Sequence, residues 1–176
     1  MPIVIAVLVF VGGLCVLNLL LTFGVIRRLR EHTEMLANRR PGQQVMSLSE
    51  GEAPEPFSAV TTAGEPVSGA AGLRLVAFFS TCPICPERVP PFAEYLSNHR
   101  VGRDSVLAVS VGSGSDAHPY LAELAPLAQI CVEPEDGVIQ RAFGVAGFPS
   151  FCLLDADGAL IASGFDPARL PEPAAV

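Results

Sequence analysis

An α/β fold, a central mixed sheet flanked by helices, is predicted for residues 57–176 of this 176-residue chain, and three observations predict it. Two short apolar runs, Leu73–Phe79 (LRLVAFF) and Ser105–Val111 (SVLAVSV), have strand length and no polar alternation, as strands buried on both faces do. Between them, Pro83–Ser97 reads as a helix carrying Phe92, Tyr95 and Leu96. Near the end, Phe151–Leu154 and Leu160–Ser163 flank Asp155-Ala156-Asp157-Gly158, a hairpin signal. Strand–helix–strand–helix followed by a strand pair is the order of an α/β domain.

The elements before this domain have a different character. Ile3–Ile26 holds 24 residues without a charge, and Asn18 and Thr22 are its clearly polar side chains. At about 1.5 Å per residue, a helix of this length exceeds the roughly 30 Å of a bilayer core. A helix is also the form in which one segment satisfies its own backbone in lipid. Residues 1–26 are therefore expected to be a transmembrane anchor, making this a single-pass protein of the cell membrane with the bilayer as a partner. A cleaved signal peptide would carry basic residues ahead of a shorter apolar core, whereas here Arg27, Arg28 and Arg30 follow it.

Residues 27–56 are expected to be a basic juxtamembrane helix and a linker. Helix can continue over Arg27–Asn38; Pro41 stops it, and Gly42–Pro56 is rich in Pro, Gly, Ser and Glu. Charge divides at the same place. Residues 27–40 have five Arg and two Glu, net +3, and residues 41–176 have six Arg and sixteen acids, net −10, giving −7 in all. An acidic domain repels phosphate backbones, so nucleic acid is not an expected partner. Arginine flanks tend to remain in the cytoplasm, which would place the domain there.

Within the domain, Tyr120–Leu127 is predicted as helix, Gln129–Val132 as a short strand, and Val138–Phe143 as a short helix closed by Gly144. Cys131 and Cys152 stand alone in strand-like contexts and are given no role, since small buried thiols are common. Cys15 lies in the apolar N-terminal run, where packing explains it. Five cysteines are too few and too uneven for a disulfide scaffold.

Chemistry concentrates in Phe79-Ser80-Thr81-Cys82-Pro83-Ile84-Cys85-Pro86, where a strand ends and a CxxC opens a helix. A thiolate is the nucleophile in disulfide exchange, and the unpaired amides of a helix N-terminus favour it. Two intervening residues put both sulfurs on one turn, where a disulfide can close. Pro83 suits a first turn, where its missing N–H has no partner to lose. Cys82 is the expected attacking sulfur and Cys85 the resolving one. A half zinc site and two inert core cysteines are the competing readings, and no second CxxC or CxxH follows to complete a metal site. The second signal is Gly147-Phe148-Pro149-Ser150-Phe151, about 65 residues downstream. Proline cannot donate to a sheet ladder, so Pro149 belongs at a strand start, where a cis bond can turn the Phe148 backbone toward Cys82 and offer a peptide an edge.

Together FSTCPIC (Phe79–Cys85), Pro90, GFPSF (Gly147–Phe151) and the DADG turn resemble the thioredoxin-like superfamily, and more narrowly the membrane-anchored TlpA/ResA-type and MauD-like thiol–disulfide oxidoreductases, over roughly Phe57–Phe165. The resemblance implies that Cys82 and Cys85 are catalytic and that Thr81, Phe148 and cis-Pro149 meet the substrate. It further implies client-protein cysteines or disulfides as partners, an electron donor or acceptor, no cofactor or metal beyond the cysteine pair, and a disulfide-handling domain outside the cytoplasm, opposite to the side that the arginine flank favours. The chain departs from the pattern in lacking Trp, in having Val76 where thioredoxins often bury an acid, and in Arg88, where TlpA-like enzymes commonly carry Glu. Arg88 reads either as a cation favouring the thiolate or as a solvated helix residue. Two functions from other classes compete: a Sco-like copper-binding protein, which would use His118 but normally has three residues between its cysteines, and a non-catalytic accessory subunit.

Overall fold

A computed structural model describes Met1, Gly12, Gly13, residues 46–112, Gly114 and residues 117–173. The chain forms two compact units, Met1–Arg40 and Pro41–Val176, and the second carries all the elements below. The expected membrane span lies outside the described residues, apart from helical Gly12 and Gly13. Among the described residues no helix is long and apolar enough to cross a membrane.

The second unit contains β1 (Ser58–Val60), β2 (Pro66–Ser68), β3 (Leu75–Phe79), α1 (Cys85–Asn98), β4 (Val106–Val111), β5 (Gln129–Glu133), α2 (Val138–Phe143), β6 (Ser150–Leu154) and β7 (Leu160–Gly164). Five strands make one sheet in the order β5-β4-β3-β6-β7. β3 is parallel to β4 and β4 to β5, while β6 is antiparallel to both β3 and β7. The sheet is mixed, as expected, and β3 is its central strand.

The unbroken apolar runs of β3 and β4 are explained by burial on both faces: every residue of the two strands is buried. Their side chains alternate between two cores, as the period of a strand requires. Val76 and Phe78 join Leu107, Val109 and Val111 on the face covered by α2 through Ile139, Ala142 and Phe143. Leu75, Ala77 and Phe79 join Val106 and Ala108 on the face covered by α1 through Val89, Phe92, Tyr95 and Leu96. Phe79, Phe92 and Phe151 form an aromatic cluster with centroids 5.0–6.3 Å apart, buried directly behind the end of β3. Each such ring contributes on the order of 2 kcal/mol of transfer free energy.

Helix α1 runs through both Pro90 and Pro91. Val89, Phe92, Tyr95 and Leu96 recur at helical spacing and are buried, whereas Pro90 is exposed and Pro91 half-buried. Burial of the inner face thus offsets two missing N–H donors near the start of the helix.

Three expectations change. The helix predicted over Tyr120–Leu127 is a 3-10 helix, Pro119–Leu124, because Pro126 brings no N–H to extend the ladder. A hairpin, β1–β2, occupies a stretch given no strands; Gly64 at φ +83° turns it and Glu65 N–H donates to Thr61 Oγ1 at 3.0 Å. The described end of the expected linker, residues 46–56, lies on the domain. Met46 is buried and bridges to Val145, Ser47 N–H donates to Gly144 O at 2.8 Å, and Gly51 N–H donates to Leu160 O at 2.7 Å. Polar composition suggested a tether there, but backbone hydrogen bonds and one buried methionine seat it.

The closing features match the sequence closely. Gly144 ends α2 in the left-handed region at φ +60°, and a Cβ there would overlap Ser47. In the β6–β7 turn Asp155 Oδ1 accepts from Asp157 N at 2.9 Å and Ala159 N at 2.8 Å, with Gly158 at φ +85°. Buried Glu133 ends β5 and accepts from Ile139 N and Gln140 N at 2.9 and 2.7 Å, fixing the start of α2.

Candidate active site

The chain leaves the centre of the sheet at Phe79, makes a tight turn through Ser80–Ile84 and enters α1 at Cys85. Cys82 and Cys85 are joined as a disulfide with Cα atoms 5.5 Å apart. The two sulfurs have different surroundings. Cys82 is partly exposed, whereas Cys85 is fully buried in the core beneath α1. A partner molecule can therefore reach one sulfur and not the other.

The local backbone is organised around these sulfurs. Cys85 N–H, the first amide of α1, donates to Cys82 O and Cys82 Sγ, each at 3.2 Å. Ser80 acts as a hub. Its N–H donates to Cys85 Sγ at 3.4 Å, its Oγ accepts from Cys82 N–H at 3.4 Å, and its carbonyl accepts from the Tyr120 hydroxyl at 2.5 Å. Each sulfur thus has a backbone N–H directed at it, the arrangement that stabilises negative charge on sulfur. Burial pushes the Tyr120 phenol up to about 12, so it stays a donor at neutral pH. The Tyr120 ring packs edge-on against Phe79 and is stacked on His118 at 5.2 Å.

Sequence reasoning gave no role to Ser80 or Tyr120. Ser80 is legible only as a polar residue at a strand end. Tyr120 lies 40 residues away, with no motif tying it to the turn.

The expected substrate contacts sit around this turn. Thr81 is exposed. The Phe148–Pro149 peptide bond is cis. β6 begins at Ser150 opposite Phe78, so one step further along the register stand Pro149 and Phe79, from which the cysteine turn departs. Pro149 is buried, and Phe148 is half-buried and packs against both cores. Ile84 and Phe165 add exposed apolar surface, at 53% and 46%.

Arg88 stands one turn after Cys85. Its guanidinium pairs with Asp166 at 3.6 Å, tying α1 to the segment after β7. Val76 is fully buried among apolar side chains. Cys131 and Cys152 are buried apart from the pair. Burial, aided by the Glu133 carboxylate, pushes the Cys131 thiol up to about 11, and burial raises Cys152 further.

The copper reading would need His118 beside the cysteines. Its Nε2 lies 3.1 Å from Val111 O and its ring is stacked on Tyr120. Among the described residues no three His, Cys, Asp or Glu side chains gather as a metal site.

No family model matches the chain, and no curated protein matches it in sequence. Solved structures do match. The protein assigned as thiol:disulfide interchange protein DsbE of Chlorobium tepidum aligns at TM-score 0.56 and 23% identity, covering 69% of this chain and 90% of that one. The thioredoxin domain of a thiol-disulfide oxidoreductase from Bacteroides vulgatus aligns at 0.55 and 21%, covering 66% and 89%. A thiol:disulfide interchange protein from Bacteroides sp. aligns at 0.54 and 20%, covering 70% and 87%.

Proposed function

We propose that this chain, on a thioredoxin-like fold, is a thiol–disulfide oxidoreductase that exchanges disulfides with client proteins through Cys82 and Cys85. One observation carries this reading: two bonded sulfurs at the entry to α1, one accessible and one buried, each facing a backbone N–H. Thiol:disulfide interchange and oxidoreductase proteins are among the chains that share this fold.

In the reducing direction the Cys82 thiolate attacks one sulfur of a client disulfide. A Cys82–client bond forms, the client S–S bond breaks, and the first client sulfur leaves as a thiolate that takes a proton. Cys85 then attacks Cys82 Sγ as a thiolate. The Cys82–Cys85 bond forms, the mixed disulfide breaks, and the second client thiolate leaves. Two electrons pass from the pair to the client, and no separate cofactor is needed. The same steps reversed oxidise a client dithiol.

The N–H groups of Cys85 and Ser80 stabilise the charge on Cys82 and Cys85 in turn. Thr81, Phe148 and Pro149 form the rim that a client backbone meets. The apolar N-terminal segment would hold the domain at a membrane, where a donor or acceptor resets the pair.

The test is exchange itself. The reduced domain should reduce a model protein disulfide mole for mole while its own Cys82–Cys85 disulfide forms, read by mass. A pair that neither reduces an oxidised client nor oxidises a reduced one faster than the background without protein would refute the reading.

A further inference from the structure

A second surface adjoins the redox turn. Arg88, Ser163, Gly164, Phe165, Asp166, Arg169 and Leu170 line a cavity of about 350 Å³ between α1 and the segment after β7. It touches both halves of the site. Arg88 is one helical turn beyond Cys85, and the Phe165 ring lies over Gly147, two residues before Pro149, so close that a Cβ there would meet it at 3.3 Å. Charge makes the cavity unusual for this domain. Residues 41–176 hold six arginines against sixteen acids, yet two of those arginines converge here on a single carboxylate. Asp166 Oδ1 is 3.6 Å from Arg88 and Asp166 Oδ2 is 3.9 Å from Arg169, which leaves the cavity one positive charge in excess. The Arg88 side chain is 37% exposed, so a ligand can meet it from the cavity. Exposed Phe165 supplies an apolar wall beside the cations.

Building on the exchange reading, we infer that this cavity selects clients carrying an acidic side chain next to the cysteine that Cys82 attacks. A peptide laid along the Phe148–Pro149 edge with its sulfur at Cys82 would run beside Phe165, which lies over Gly147 and lines the same cavity as Arg88 and Arg169. A carboxylate there completes the charge that Asp166 only half balances, and a lysine there is repelled. Arg88 and Arg169 are specificity-determining residues on this account, and Asp166 is the internal competitor that holds them.

Peptides separate this inference from the chemistry it builds on. Three labelled peptides, identical except for Glu, Gln or Lys beside a serine standing for the target cysteine, are titrated with the oxidised protein by fluorescence anisotropy. No sulfur reacts in this measurement. The Glu peptide should bind about fivefold more tightly than the Gln peptide, the scale of a partly exposed charge pair, and the Lys peptide more weakly than either. Raising salt should shrink the difference. Arg169→Gln alters a side chain that is 80% exposed and so tests charge without disturbing packing; it should reduce the preference, and the Arg88→Gln, Arg169→Gln pair should erase it. Asp166→Asn, which can still accept from Ala168 N, should increase it. Equal affinities for the three peptides, or a preference that survives the double substitution, would overturn the inference. A charge preference in a protein that fails to reduce the corresponding cysteine peptides would count against the exchange reading alone.

Discussion

Cys82→Ser should abolish disulfide exchange, bringing the rate of client reduction down to the background without protein, a fall of roughly a thousandfold or more. The argument is geometric before it is electronic. Cys85 is fully buried, so it cannot meet a client sulfur unless Cys82 delivers it as a mixed disulfide. Cys131 and Cys152 are also buried and held as thiols by their surroundings, so neither replaces the lost nucleophile. Serine keeps the size and the hydrogen bond from Cys85 N–H, and the side chain is already partly exposed. The fold should therefore survive, which circular dichroism would verify alongside the assay. A variant that still reduced clients at the native rate would show that the attacking sulfur is elsewhere.

Cys85→Ser should give the opposite outcome, a reaction that starts and does not finish. Cys82 still attacks, the mixed disulfide forms, and no internal thiol arrives to break it. A covalent protein–client adduct should accumulate to near one equivalent, run as a band of summed mass, and disappear on adding a small thiol. Peptide mapping should place the client on Cys82. Turnover should fall by roughly a hundredfold or more, because resolution then waits for an external thiol. The contrast between the two variants is diagnostic: substitution of the exposed sulfur prevents attachment, and substitution of the buried one prevents release. An adduct that never forms in Cys85→Ser, or that forms equally in Cys82→Ser, would reverse or remove the assigned roles.

Much of this arrangement was legible in the sequence because local chemistry wrote it there. β3 and β4 are flanked by sheet and helix on both sides, and their runs are apolar at every pitch. The strand–CxxC–helix order follows from what a stabilised thiolate needs, and the proline before β6 from what a sheet ladder forbids. Gly144 and the Asp155 turn sit where backbone geometry calls for them. What stayed hidden depends on contacts between distant residues. The two three-residue strands of β1–β2 carry too short a pattern to register, and the 46–56 segment is held chiefly by main-chain groups, which every residue type possesses. The hold of Tyr120 on Ser80 and of Asp166 on Arg88 joins residues 40 and 78 positions apart. Arg88 in particular could not be assigned from its position after Cys85, because its partner comes from the far end of the domain.

The account rests on one sulfur being both reachable and favoured as an anion, while no other described cysteine combines the two properties. Alkylation of the reduced, folded protein by iodoacetamide at neutral pH, mapped by peptide mass spectrometry, measures both properties together. Cys82 should be modified first, and faster than a cysteine in an unfolded peptide, while Cys131 and Cys152 remain unmodified until denaturant is added. Modification of Cys131 or Cys152 ahead of Cys82, or a Cys82 that reacts no faster than the unfolded reference, would contradict it.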